Sequence, residues 1–136
     1  MKKAILLITM TLISLCSYAQ TTDSNTKNTV ASPESNVNFR LYQTNNRWTF
    51  LKLDTRNGII THVQYSTSGD ALEYPLNSTP LVKEEEAKPG RFFLYPTENT
   101  YTFILIDQIN GKVWQVQWNI EKENRGIWAI NYSPFN

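Results

Sequence analysis

The chain has 136 residues with 13 basic and 12 acidic side chains, and its net charge is +1. This length suits a single domain, and a charge so close to zero argues against the basic face that nucleic-acid binding requires. With one cysteine, Cys16, an intrachain disulfide is excluded, so a hydrophobic core must stabilise the domain.

Residues 1–19 have the pattern of a secretory signal peptide. Two lysines are followed by an apolar run that ends near Leu15, and small residues stand three and one positions before a cut ahead of Gln20. The run falls short of the ~20 apolar residues that a membrane-spanning helix needs, so a signal peptide is favoured over a transmembrane anchor. The sequence therefore predicts a periplasmic or secreted protein without a membrane span.

Cys16 leaves a second export route open, because lipoproteins are cut just before a cysteine that then carries the lipid. Leu15 stands where such sites usually have Gly, Ala or Ser. Cleavage before Gln20 is therefore preferred, and lipidation of Cys16 is the alternative.

Residues 20–38 are rich in Thr, Ser and Asn. They bury too little apolar surface to offset the entropy of ordering, so they predict a disordered tether. A single β domain is expected to occupy residues 39–136. It divides into repeat 1 over residues 39–77, a polar linker over residues 78–90 and repeat 2 over residues 91–132.

The two repeats are copies of one sequence. A shift of 53 residues aligns "YQTNNRWTFLKLD", which starts at Tyr42, with "YPTENTYTFILID", which starts at Tyr95. In this ungapped alignment, twelve residues between Phe39 and Gln64 are identical to the residues 53 positions later. A fixed internal period of this kind marks a repeated supersecondary unit.

Each repeat predicts a series of β-strands. The segments "WTFLKLD" and "YTFILID" are rich in aromatic and β-branched residues and lack Gly and Pro. Their apolar side chains fall on both faces, which favours strands that are covered on both sides. Asp54–Gly58 and Asp107–Gly111 then predict tight hairpins, in which the Asp accepts backbone N–H groups and the Asn-Gly pair supplies a positive φ.

Further strands follow each hairpin. In "VWQVQWN", Trp114, Val116 and Trp118 share one face. A shorter fourth strand is predicted at Leu72–Asn77 and at Gly126–Tyr132. A lone meander would expose an apolar face and two open edges, so the second repeat is expected to complete the core of the first. The predicted fold is all-β, with two tandem antiparallel meander repeats forming a six- to eight-stranded pseudo-twofold barrel or sandwich.

The repeated pattern also supports a resemblance. It reads Leu-Tyr-Pro-Thr-x-Asn-x-aromatic-Thr-Phe, then Asp-x-x-x-Gly-Lys-Val-Trp-Gln-Val-Gln-Trp, and covers residues 39–66 and 92–119. It resembles a group of small, mostly uncharacterised exported tandem β-repeat proteins of Bacteroidota-type bacteria. Repeat 1 departs from the pattern at Gln43, where the motif has Pro, and at Thr61, where it has Trp. The resemblance implies an exported β-repeat protein and carries no catalytic residue.

The residues predict no catalytic site, cofactor or metal. His62 is the one histidine, and its place on the polar side of a strand predicts a surface histidine rather than a general base or a metal ligand. The loops that start at Asp54 and Asp107 share features with a calcium loop. A side chain without oxygen stands at the third position of each, so hydrogen-bonded turns are expected instead.

Differences between the repeats indicate a candidate binding surface. Three residues of repeat 1 that are polar align with apolar residues of repeat 2: Arg40, Lys52 and Thr61 align with Phe93, Leu105 and Trp114. One hypothesis makes these three apolar residues a surface for a partner, a ligand or self-association. The other, which we favour, makes them asymmetric core packing that the linker or the tether covers.

These observations favour an exported, non-catalytic binding module of the cell envelope that engages a protein or a glycan polymer through a β surface. Two alternatives stay open, a small envelope hydrolase whose carboxylates meet only on folding and an inhibitor of a toxin or protease. Two carboxylates that face one cleft would favour the hydrolase, whereas a flat aromatic patch would favour binding.

Overall fold

The computed structural model describes residues 36–131 and 133, and this part of the chain is built from β-strands. The strands are β1 (Phe39–Gln43), β2 (Thr49–Asp54), β3 (Ile60–Gln64), β4 (Leu72–Asn77), β5 (Phe92–Pro96), β6 (Thr102–Asp107), β7 (Val113–Gln117) and β8 (Gly126–Ile130). Short 3₁₀ turns cover Glu84–Glu86 and Lys122–Asn124. The predicted all-β class is confirmed.

The strands form two four-stranded antiparallel sheets. Sheet 1 has the order β1-β2-β3-β4 and sheet 2 the order β5-β6-β7-β8, so each repeat is a meander that does not close on itself. The predicted fourth strand of repeat 1 has the expected bounds, whereas that of repeat 2 ends at Ile130. The predicted signal peptide, the alternative lipid site at Cys16 and residues 20–35 of the predicted tether lie outside the described residues.

The two hairpin turns follow the same hydrogen-bonding scheme. The N–H of Arg56 donates to Asp54 Oδ1 at 3.0 Å, and the N–H of Ile109 donates to Asp107 Oδ1 at 2.9 Å. Gly58 and Gly111 have φ values of 79° and 75°, a left-handed conformation that glycine adopts without strain. The turn prediction is confirmed in both repeats.

Each sheet has two faces, and strand register assigns equivalent residues to them. We define face A by Tyr42, Leu51, Leu53 and Ile60 in sheet 1 and by their equivalents Tyr95, Ile104, Ile106 and Val113 in sheet 2. We define face B by Phe39, Leu41, Phe50 and Val63 in sheet 1 and by Phe92, Leu94, Phe103 and Val116 in sheet 2. The face B residues are identical in the two repeats.

The two sheets bury opposite faces. Sheet 1 buries mainly face A, whereas sheet 2 buries mainly face B, together with Phe93 of its face A. Identical residues at equivalent positions show the difference: Leu41 is 58% exposed and Leu94 is 0% exposed, while Tyr42 is 6% exposed and Tyr95 is 42% exposed. A pseudo-twofold axis would give each such pair the same environment. The predicted pseudo-twofold relation therefore does not hold.

The buried faces contact each other. The His62 ring on face A of sheet 1 lies 5.7 Å from the Trp118 ring of repeat 2. The Tyr42 ring also reaches the edge strand β5, where it lies edge-on to Phe93 of face A at 5.6 Å. The N–H of Leu94 donates to Tyr42 Oη at 3.3 Å. The core of the described residues thus lies between the repeats and is not divided into one core for each.

Polar residues explain which face of sheet 1 stays outside. Face B of sheet 1 also carries Lys52, Thr61 and Glu73, where sheet 2 has Leu105, Trp114 and Ile127. The Lys52 ammonium contacts the Glu73 carboxylate, and Thr61 Oγ1 donates to Glu73 Oε1 at 2.8 Å. Burying this group would remove two charges from water, which is costly. Face A of sheet 1 is therefore the face that enters the core.

A buried ion pair joins the linker to the second hairpin. Arg91 is 5% exposed and Asp107 is 0% exposed, and Arg91 Nη2 and Nε donate to Asp107 Oδ2 at 2.8 and 3.0 Å. Arg91 Nη1 also donates to the carbonyl oxygen of Glu86 at 2.7 Å. Burial opposes ionisation of Asp107, but the hydrogen bonds from Arg91 and from two backbone N–H groups outweigh it and hold the pKa of Asp107 below its ordinary value.

We expect Arg91→Met to lower the free energy of unfolding by about 3–5 kcal/mol, because it leaves the Asp107 charge buried without a partner. Arg56→Met is the matched control, since Arg56 pairs with the equivalent Asp54 but lies at the surface, where water replaces it. Urea unfolding of both variants measures the losses. Equal losses would contradict the structural role of the buried pair.

Candidate functional site

The three residues predicted as a binding surface do not form one surface. Leu105 and Trp114 are register partners on face B of sheet 2, where Leu105 is fully buried and Trp114 is half-buried. Phe93 lies on the opposite face, because it pairs with Ile106. Its ring is buried beneath the Arg40 guanidinium, at 5.5 Å, and the edge of a tyrosine ring of sheet 1. Phe93 and Leu105 are therefore core residues, as the packing hypothesis expects. That hypothesis named the linker or the tether as the covering segment, whereas residues of repeat 1 cover Phe93.

The exposed apolar surface of repeat 2 lies on the same face of sheet 2 as Phe93, beyond the part that repeat 1 covers. We call this the outer surface of sheet 2; it is face A of that sheet, extended onto β8 by Trp128 and Ile130. Trp128 is 50% exposed, and Ile130 and Tyr95 are also exposed. Ile104, Ile106 and Val113 are half-buried, and Gln115 places one amide among them. This apolar row extends across all four strands of sheet 2.

An open cleft adjoins the end of this surface. Its volume is about 710 Å³, and Val113 and Ile130 of the outer surface form part of its lining. Trp114 and the turn residues 110–112 form most of the remaining lining of the cleft. Trp114 is thus the one member of the predicted surface that reaches an accessible site.

The outer surface of sheet 1 is face B of that sheet. On this surface Phe39 and Leu41 are exposed, and Phe50 and Val63 are half-buried. The polar group of Lys52, Thr61 and Glu73 lies across the same face. The Glu73 carboxylate accepts hydrogen bonds from Lys52, which has the larger effect, and from Thr61. These hydrogen bonds lower the pKa of Glu73 and favour its charged form.

His62 is buried, so the prediction of a surface histidine is wrong. It lies opposite Leu51 on face A of sheet 1, the face that enters the core, whereas the equivalent Gln115 is exposed on sheet 2. Its ring packs 4.4 Å from the Tyr74 ring, and neither nitrogen has a hydrogen-bond partner among the described residues. Burial, together with the nearby charge of Arg125, lowers the pKa of His62 to about 4.

The two hairpin aspartates serve the turns rather than a catalytic pair. Asp54 accepts hydrogen bonds from the backbone and the guanidinium of Arg56, and Asp107 accepts them from Arg91 and the turn backbone. A general acid needs a raised pKa, and the pKa of Asp107 moves the other way. No group of three or more potential metal-ligating side chains occurs within residues 36–131.

Comparison of the chain with protein-family models, curated proteins and solved structures finds no match. Function is therefore argued from the geometry of the two outer surfaces. In residues 36–131 and 133, no helix has the length and apolar character to cross a bilayer. Sequence reasoning missed Ile104, Ile106 and Trp128 as surface residues. The signal that points to Ile104 and Ile106 is the presence of apolar side chains on both sides of "YTFILID".

We expect His62→Gln, which introduces the residue of repeat 2, to remove a pH dependence of stability. The folded pKa of about 4 lies below the unfolded value of 6.5, so the unfolded chain binds more protons between these values. The native chain should lose stability as the pH falls below 6.5, by about 3 kcal/mol at pH 4 relative to the variant.

Urea unfolding of both proteins from pH 7 to pH 4 measures this effect. Carboxylates titrate in both proteins, so the difference between the two curves isolates His62. A difference that stays constant across this range would contradict the burial of a neutral His62.

Proposed function

We propose that the protein is an exported, non-catalytic interaction module that binds a protein partner through the outer surface of sheet 2. The observation that carries this proposal is the row of exposed and half-buried apolar side chains that includes Tyr95, Ile104 and Trp128. Contiguous apolar patches are small on monomeric proteins and mark interaction sites when they are large. Exposed Trp and Tyr side chains are frequent anchors of protein interfaces.

The chemistry of the surface favours a protein over a glycan polymer. Its centre is aliphatic, and Gln115 is the main hydrogen-bonding side chain there. Moving sugar hydroxyls out of water without forming new hydrogen bonds is unfavourable in free energy. A protein partner can instead present an apolar face of its own.

Two further features belong to the proposal. The basic and apolar pattern of residues 1–19, together with the resemblance to exported tandem β-repeat proteins, supports export. The contact of His62 with Trp118 supports a sandwich of two stacked sheets. In such a sandwich each sheet covers one face of the other and leaves its own second face outside.

The experiment is affinity capture with the purified tagged protein from envelope and secreted fractions, followed by titration of the purified partner. The test variant combines Ile104→Thr with Trp128→Ser, and the control is Ile109→Ser. Ile109 is 58% exposed in the second hairpin turn, away from both outer surfaces. We expect a partner in equimolar amount with the native chain and the control, and an affinity at least ~10-fold weaker with the test variant.

Two results would overturn the proposal. One is equal binding by the test variant and the control. The other is capture of an envelope polysaccharide in place of a protein. Far-UV circular dichroism and the unfolding midpoint of each variant must match the native chain, so that loss of folding is not read as loss of binding.

A further inference from the structure

We infer that the protein partner is a second copy of this chain, which docks head-to-tail. In this joint the outer surface of sheet 2 of one copy lies against the outer surface of sheet 1 of the next. The inference rests on the surface in the proposed function and goes further, because it names the partner and the partner's face. Four observations lead to it.

The first observation is that the chain already contains one joint of this kind. Face A of sheet 1 packs against face B of sheet 2, through contacts such as that between the His62 and Trp118 rings. The two repeats are copies, so face A of a repeat is complementary in shape to face B of a repeat. The chain leaves face B of sheet 1 unused, and it leaves most of face A of sheet 2 unused, where repeat 1 covers Phe93.

The second observation is that the unused face A keeps the apolar character of the buried one. Its residues differ from their buried equivalents by small changes in aliphatic or aromatic shape. The pairs, sheet 1 residue first, are Tyr42 and Tyr95, Leu51 and Ile104, Leu53 and Ile106, Ile60 and Val113, and Tyr74 and Trp128. Tyr74 is half-buried, and the other four sheet 1 residues are buried. Most of the unused side chains are nevertheless half-buried or exposed.

The third observation is that the unused face B carries four of the apolar residues that sheet 2 buries on the same face. Phe39, Leu41, Phe50 and Val63 have identical buried counterparts in sheet 2. A cleft of about 470 Å³ already opens among Phe39, Leu41 and Val63. Four large apolar side chains on one face form a patch of the kind that marks interaction sites.

The fourth observation is that polar changes occur on both unused faces. Face B of sheet 1 has Lys52, Thr61 and Glu73 in place of apolar residues, and face A of sheet 2 has Gln115 in place of His62. By equivalence with the contact of His62 with Trp118, Gln115 would lie near Tyr65 of the next copy, whose hydroxyl can hydrogen-bond to an amide. Polar side chains among apolar ones suit an interface whose partners also exist apart, because obligate interfaces are more hydrophobic.

The geometry determines the type of assembly. The two surfaces of this joint are different, so a copy that uses one of them still offers the other. Such heterologous contacts build a closed ring when the rotation between copies closes, and an open filament when it does not. A twofold dimer, in which both copies use the same surface, is not the predicted product.

The test is sedimentation velocity of the purified protein, from about 1 to 200 µM. The face A variant combines Ile104→Thr with Trp128→Ser, and the face B variant is Leu41→Glu, whose new carboxylate lies opposite Lys52 in register. Ile109→Ser is the control. We expect the native chain and the control to form species larger than a dimer as concentration rises, and each face variant alone to remain monomeric.

The mixture of the two face variants is decisive. Each variant keeps the surface that the other has lost, so an equimolar mixture should form a one-to-one dimer and nothing larger. Phe39→Ser, a second face B variant, repeats the experiment if Leu41→Glu does not fold. Monomers in the mixture, together with dimers of the native chain, would indicate a twofold joint and overturn the inference.

A native chain that stays monomeric at the highest concentration would also overturn the inference. The proposed function fails separately, when the capture experiment finds no protein that depends on the outer surface of sheet 2. A different captured protein beside a monomeric chain would therefore support the function and reject the second copy as the partner. Capture of the same chain, lost in both face variants, would support both.

Discussion

Burial of opposite faces by two copies of one meander is the constraint from which the rest of the structure follows. Face A of sheet 1 lies against face B of sheet 2, so the core forms between the repeats. Leu41 and Leu94 are the same residue at equivalent positions, yet one is exposed and the other is buried. A packing of this kind satisfies one face of each sheet and leaves the other face of each uncovered.

Charge placement decides which faces meet. Lys52 and Glu73 lie close together on one side of sheet 1 and oppose its burial. In repeat 2, Arg91 neutralises the fully buried Asp107 of the hairpin and holds the linker through the Glu86 carbonyl. The two repeats thus solve the same turn with different arginine partners.

The strands and turns of each repeat were predictable because their signals are local. Alternation along the chain and an Asp followed by Asn-Gly predict the hairpins whatever lies beyond them. The choice of buried face was not predictable in this way, since apolar residues occupy both sides of β2 and β6. His62 shows the consequence: its burial follows from the face that sheet 1 turns inward, and the repeat comparison with exposed Gln115 indicated the opposite.

Thiol labelling tests the central claim most directly, because Cys16 is the one native cysteine and can be changed to serine. Single cysteines at Leu41, Leu94, Tyr42 and Tyr95 would be labelled at about 1 µM, where association is weak. Opposite burial predicts that cysteines at Leu41 and Tyr95 react at least ~100-fold faster than those at Leu94 and Tyr42. Equal rates within each equivalent pair would mean that both repeats bury the same face, and would contradict the account.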